Sequence, residues 1–97
     1  MSVRQVVDDF VKLGPLPNST AATEQDLDRR AAMLKAIAPP VSDEEARALA
    51  ECFGPDECFG VAWSLLHLIE TAPSHPRPRE DVFQRSEWLR MVWTDRR

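Results

Sequence analysis

Cys58-Phe59-Gly60-Val61-Ala62-Trp63-Ser64-Leu65-Leu66-His67-Leu68-Ile69-Glu70-Thr71 carries the helical periodicity on which the fold class rests. At 100° per residue, Cys58, Phe59, Ala62, Leu65, Leu66 and Ile69 gather on one side of a helix, with Val61 and Leu68 at its margin. Asp56, Gly60, Ser64, His67 and Thr71 fall on the other side, flanked by Trp63 and Glu70. A strand, with its period of two, would scatter both groups. We therefore expect a helix from Pro55 to Thr71, with Pro55 suited to its first turn. On this reading Gly60 lies mid-helix, where glycine costs about 1 kcal/mol relative to alanine, and close approach of another backbone is the expected reason for it.

Working outward, the same spacing recurs on both sides. From Ser2 to Leu13, Val3, Val6, Val7, Phe10, Val11 and Leu13 share one face, and Gly14-Pro15-Leu16-Pro17-Asn18 ends the helix. A second helix begins between Ser19 and Thr23, with caps available at Ser19, Thr20 and Thr23, and runs to Ile37 before Pro39-Pro40. Ser42-Asp43-Glu44-Glu45 has the form of a capping box opening a short third helix, with Ala46, Leu49, Ala50 and Phe53 facing inward and Gly54 as its stop. After the stiff connection 72–78, a fifth helix is expected from Arg79 to Thr94, with Val82, Phe83, Leu89, Val92 and Trp93 inward. Trp88 and Met91 project beyond that stripe, as interface anchors, as the second buried side of a sandwiched helix, or as a pair covered by the first helix. No segment alternates like a strand. The expectation is an all-α, compact bundle of about five helices, one domain over residues 1–97.

Ala38-Pro39 and Ala72-Pro73 end two of these helices 34 residues apart, and Leu27, Ala31 and Leu34 echo Val61, Leu65 and Leu68. Two stacked helix pairs would show such a period, although two copies fall short of the three that solenoids usually need.

Composition narrows the function classes. With 12 Lys and Arg against 16 Asp and Glu, the net charge of −4 excludes a generally basic nucleic-acid coat. The apolar runs are too short to span a membrane, and Met1-Ser2-Val3-Arg4-Gln5 lacks the charged-then-apolar form of a signal peptide, so the expected location is cytoplasmic.

Cys52, Cys58, His67 and His75 are spaced five, eight and seven residues apart, unlike paired ligand motifs, and Cys58 and His67 point to opposite sides of one helix. Neither a metal nor any other cofactor is expected. A Cys52–Cys58 disulfide across Gly54-Pro55 is sterically conceivable but disfavoured in a reducing cytoplasm. His67 and Glu70, at i and i+3, are placed as an acid–base pair would be, yet no nucleophile turn or phosphate-cradling loop accompanies them. The expectation is accordingly a non-enzymatic protein. A small enzyme or ligand-binding protein using His67 and Glu70 beside Trp63 is the alternative.

Charge is unevenly placed. Between Asp43 and Glu57 stand Asp43, Glu44, Glu45, Glu51, Asp56 and Glu57 with only Arg47, whereas six arginines lie beyond Thr71. First-turn carboxylates complement the helix dipole, and the same groups would form an acidic corner for a basic partner protein. The arginines 77, 79, 85, 90, 96 and 97 are candidate phosphate contacts, but nucleic-acid binding is not expected of an acidic chain with no recognition helix.

The run from Phe53 to Pro73, Phe53-Gly54-Pro55-Asp56-Glu57-Cys58-Phe59-Gly60-Val61-Ala62-Trp63-Ser64-Leu65-Leu66-His67-Leu68-Ile69-Glu70-Thr71-Ala72-Pro73, resembles stretches of short, uncharacterised all-helical bacterial proteins, some of toxin-immunity type. That resemblance implies a helical protein that binds a partner, and it transfers no site residue. The expected contacts are Asp43, Glu44, Asp56 and Glu57 at the acidic corner, with Trp63, His67 and Trp88 as an apolar patch. A basic protein or a second copy of the chain would be the occupant.

Overall fold

Helices form where the caps and breaks place them. The computed structural model describes residues 3–17, 19–54, 58–74 and 77–95, without the side chains of residues 59, 94 and 95. In it, α1 spans Gln5–Lys12, α2 Glu24–Lys35, α3 Asp43–Ala50, α4 Val61–Ile69, α5 Glu80–Arg85 and α6 Glu87–Asp95. No strand occurs among the described residues, and the fold is an all-α bundle.

Side-chain caps explain the starts of α2 and α3, whereas Arg4, Gly60 and Arg79, before α1, α4 and α5, make no side-chain cap bond. The Thr23 hydroxyl accepts the amide of Asp26 at 3.1 Å, capping α2. At α3 the capping box closes in both directions, with Glu45 N–H donating to Ser42 Oγ and Ser42 N–H to Glu45 Oε1. The ends are equally specified: Arg30 donates to the carbonyls of Gly14 and Leu13, answering the C-terminal carbonyls of α1.

α4 is central, packing on α2 and α3, while α1 also packs on both and α5 rests on α6. Ala62, Leu65, Leu66 and Ile69 are buried on α4 as the spacing predicts, together with Cys58 and Val61. Phe59, expected on the same side, lies outside the described side chains. Val7 and Phe10 of α1, Leu34 of α2, Ala46, Leu49 and Ala50 of α3, and Phe53 beyond it close the core.

Three expectations change. The fifth helix is two: Ser86, fully buried, breaks it with φ −124° and ψ 88°, and its hydroxyl accepts the Leu89 amide to start α6. The fourth helix begins at Val61, because Cys58–Gly60 form a tighter 3-10 turn and Gly60 stands at φ 90°. The stop at Gly14-Pro15-Leu16-Pro17 also supplies core: Leu16 is 2% exposed and its N–H donates to the Cys52 carbonyl at 2.8 Å. The 34-residue echo does not extend to packing, since Ala38 is exposed and Ala72 is buried.

Gly60 gives the first expected result. A Cβ there would meet nothing within 4 Å, so backbone handedness, and not a close neighbour, explains the glycine. Gly60→Ala should lose about 1 kcal/mol, the cost of holding an L-residue in the left-handed region. A mid-helix glycine in open space would instead gain about as much from the change. Urea unfolding followed by circular dichroism reads the sign directly.

Candidate functional site

α4 turns its polar face outward, and two features meet there. The first is an aromatic row. Trp63 is 36% exposed; its ring lies 5.1 Å from that of Trp88, edge-on at 89°, and 6.0 Å from the imidazole of His67. His67 reaches Trp63 because i and i+4 share a helix face. Trp88 comes from α6 and is 9% exposed, its other contact being Phe53 at 6.2 Å between centroids. Trp88 is thus buried against Phe53 and Trp63 while Met91 is left exposed, so α6 is not buried on both sides. Trp88 is a brace behind the surface, and Trp63 is the aromatic that shows. Met91, one turn along α6 from Trp88, is 59% exposed.

The second feature is a cleft of about 300 Å³ between α2 and α4. Ala31, Leu34 and Leu68 form its apolar wall, with Lys35, Pro39, Ser64 and His67 around it and Thr71 at the end of α4. The Thr71 hydroxyl is already committed, accepting from Val41 N–H at 2.9 Å and donating to the Leu68 carbonyl at 2.7 Å. Trp63 and Glu70 are not part of the lining. The cleft therefore holds His67 without the carboxylate that the acid–base reading paired with it.

The acidic corner is partly used by the chain itself. Asp43 accepts the Ser74 amide at 3.0 Å, tying the start of α3 to the end of the α4 segment. Glu44 is exposed in the first turn of α3, and Asp56 and Glu57 lie outside the described residues. Glu45 is 3% exposed and belongs to the interior. Its carboxylate accepts from the backbone N–H, Nε and a terminal nitrogen of Arg4 at 2.9–3.2 Å, as well as from Ser42 N–H. Hydrogen bonds from Arg4 outweigh the effect of burial and hold its pKa down at about 2.

Three of the arginines beyond Thr71 likewise meet groups of their own chain, and Arg96 and Arg97 lie outside the described residues. Arg85 donates to the Glu51 carbonyl at 2.7 Å, Arg79 lies 3.2 Å from Asp81 and 3.8 Å from Glu51, and Arg77 sits over the Phe83 ring at 4.5 Å. The opposite charges that are separated along the sequence are thus neighbours in space.

Cys52 and Cys58 are both buried thiols. Burial pushes the Cys52 pKa up to about 11, which keeps its sulfur protonated and unreactive. Among the described residues no three His, Cys, Asp or Glu side chains converge as metal ligands, and His75 lies outside those residues. No described helix is long and apolar enough to cross a membrane.

No family model, curated protein or solved structure matches the chain.

Proposed function

We propose that the protein is a non-enzymatic binding module that docks a partner protein on the outer face of α4 and the adjoining face of α6. The observation carrying this reading is Trp63, an exposed indole braced edge-on by a buried second indole. A large, pre-ordered aromatic offers much contact area at small entropic cost, which is why tryptophan anchors so many interfaces. Met91, exposed beside this row, adapts its shape to an opposing surface. His67 contributes a polar edge.

Glu44 and Asp43 would speed encounter with a basic partner at low salt, and Asp56 and Glu57, outside the described residues, belong to the same proposed set. Inhibition by occlusion, as in immunity-type proteins, is the mode this reading favours, and a second copy of the chain is the other occupant to test. No bond is made or broken.

A photo-crosslinking residue at Met91, compared with one at Arg29 on α2, tests the proposal in the native cell. The expected outcome is one discrete protein adduct from position 91, absent from position 29 and lost when Trp63→Ala is added. Equal labelling from both positions, or an adduct indifferent to Trp63→Ala, would overturn it. His67→Ala and Glu70→Ala separate the enzyme alternative, because an enzyme loses turnover with its fold intact.

A further inference from the structure

The cleft between α2 and α4 shares only His67 with the docking face and carries further chemistry that docking at Trp63 leaves unused. Its wall is hydrocarbon, supplied by Ala31, Leu34 and Leu68, and Pro39 adds an apolar edge. The polar groups bordering it differ in kind from the rest of this acidic surface. Lys35 brings a positive charge, His67 and Ser64 bring hydrogen-bond donors, and no carboxylate lines the cleft among the described residues. Thr71 is held by Val41 and Leu68 and acts as structure.

We propose that this cleft binds a short-chain aliphatic carboxylate, with its tail along Leu34 and Leu68 and its charged end at Lys35. An uncharged apolar ligand would leave Lys35, Ser64 and His67 without a role, and a fully polar one would forfeit the wall. An amphipathic anion uses both. It also fits a lining whose described residues include a lysine and no carboxylate in a chain of net charge −4. A volume of about 300 Å³ stands at the lower limit of small-molecule pockets, so a short tail of roughly eight carbons is the fitting probe. The site does not depend on the protein-docking reading, whose Trp63 lies outside the cleft.

Sodium octanoate titrated into the full chain, followed by amide chemical shifts, is the test. Saturable shifts are expected at Ala31, Leu34 and Leu68, with a dissociation constant near about 1 mM for so small a ligand. Lys35→Gln should weaken octanoate about fivefold, in keeping with one partly solvated charge pair. Leu68→Trp, which fills the cleft, should abolish the shifts. Octylammonium has the same tail and the opposite charge, and should not saturate these amides. Equal binding of octylammonium, or octanoate binding unchanged by Lys35→Gln, would overturn the proposal; so would shifts that stay linear to about 10 mM. Lys35 is exposed, so its variant tests the charge even where Leu68→Trp fails to fold.

Discussion

Glu45→Gln should destabilise the protein by about 1.5–3 kcal/mol at neutral pH and remove much of its sensitivity to acid. The carboxylate holds the N-terminus of α1 against the N-terminus of α3 by accepting four hydrogen bonds, three from Arg4 and one from Ser42. Glutamine keeps the shape but loses the charge, and an amide N–H must then face the Arg4 donors. The Arg4 side chain is 42% exposed, so the charge left behind stays solvated and the loss is that of the charge-assisted hydrogen bonds, about 1.5–3 kcal/mol, not that of an orphaned buried charge.

The acid dependence follows from the same contacts. Glu45 has its pKa lowered from an ordinary 4.5 to about 2. The native state therefore holds on to the ionised form after the unfolded chain has taken up its proton. The stabilisation is fully present above about pH 4.5 and is lost as pH falls toward 2, in total about 3 kcal/mol. Urea midpoints of the parent and Glu45→Gln, measured from pH 7 to pH 2, should converge across that window. Parallel curves would show that the carboxylate is no tie between the helices.

The second large effect is expected at Gly54. A methyl group there is driven into the carbonyl of Leu16, a backbone obstacle that no rotamer change can clear. The segment 13–17 would have to lift, breaking the bond from Leu16 N–H to Cys52 and exposing a leucine that is 2% accessible. Loss of that packing alone is worth about 2–5 kcal/mol. Gly54→Ala should therefore cost about 3 kcal/mol or more, lowering the thermal midpoint by roughly 12 °C or more for a domain of this size. Leu16→Ala should not rescue it, since the main collision is with main-chain atoms. A midpoint within about 2 °C of the parent would mean that Leu16 does not lie against Gly54.

Gly54 and Gly60 show where sequence reasoning stops. Local punctuation reads one as a helix stop and the other as a packing contact, whereas the structure puts the close approach at Gly54 and a left-handed N-cap at Gly60. Close approach occurs at Gly54 because a loop 38 residues earlier in the chain folds over it; Gly60 is needed for its φ of 90°. Ser86-Glu87 carried a legible start signal, since serine caps and a first-turn glutamate follows the dipole rule, but a continuous apolar stripe concealed it. Trp88 was ambiguous because helical spacing gives a direction without saying what stands there. The partner of Glu45 was not legible at all: its capping role was complete within four residues, whereas Arg4 lies 41 residues away.

The order of helices, their caps and the buried stripe of α4 were fixed by interactions spanning three or four residues, and such interactions are written in the spacing itself. Whether a side chain on the second face meets water, a loop or another helix depends on chain segments far apart in number. Only the packed structure decided that Leu16 is core, that Trp88 braces Trp63, and that His67 opens onto a cleft with Lys35 and without Glu70.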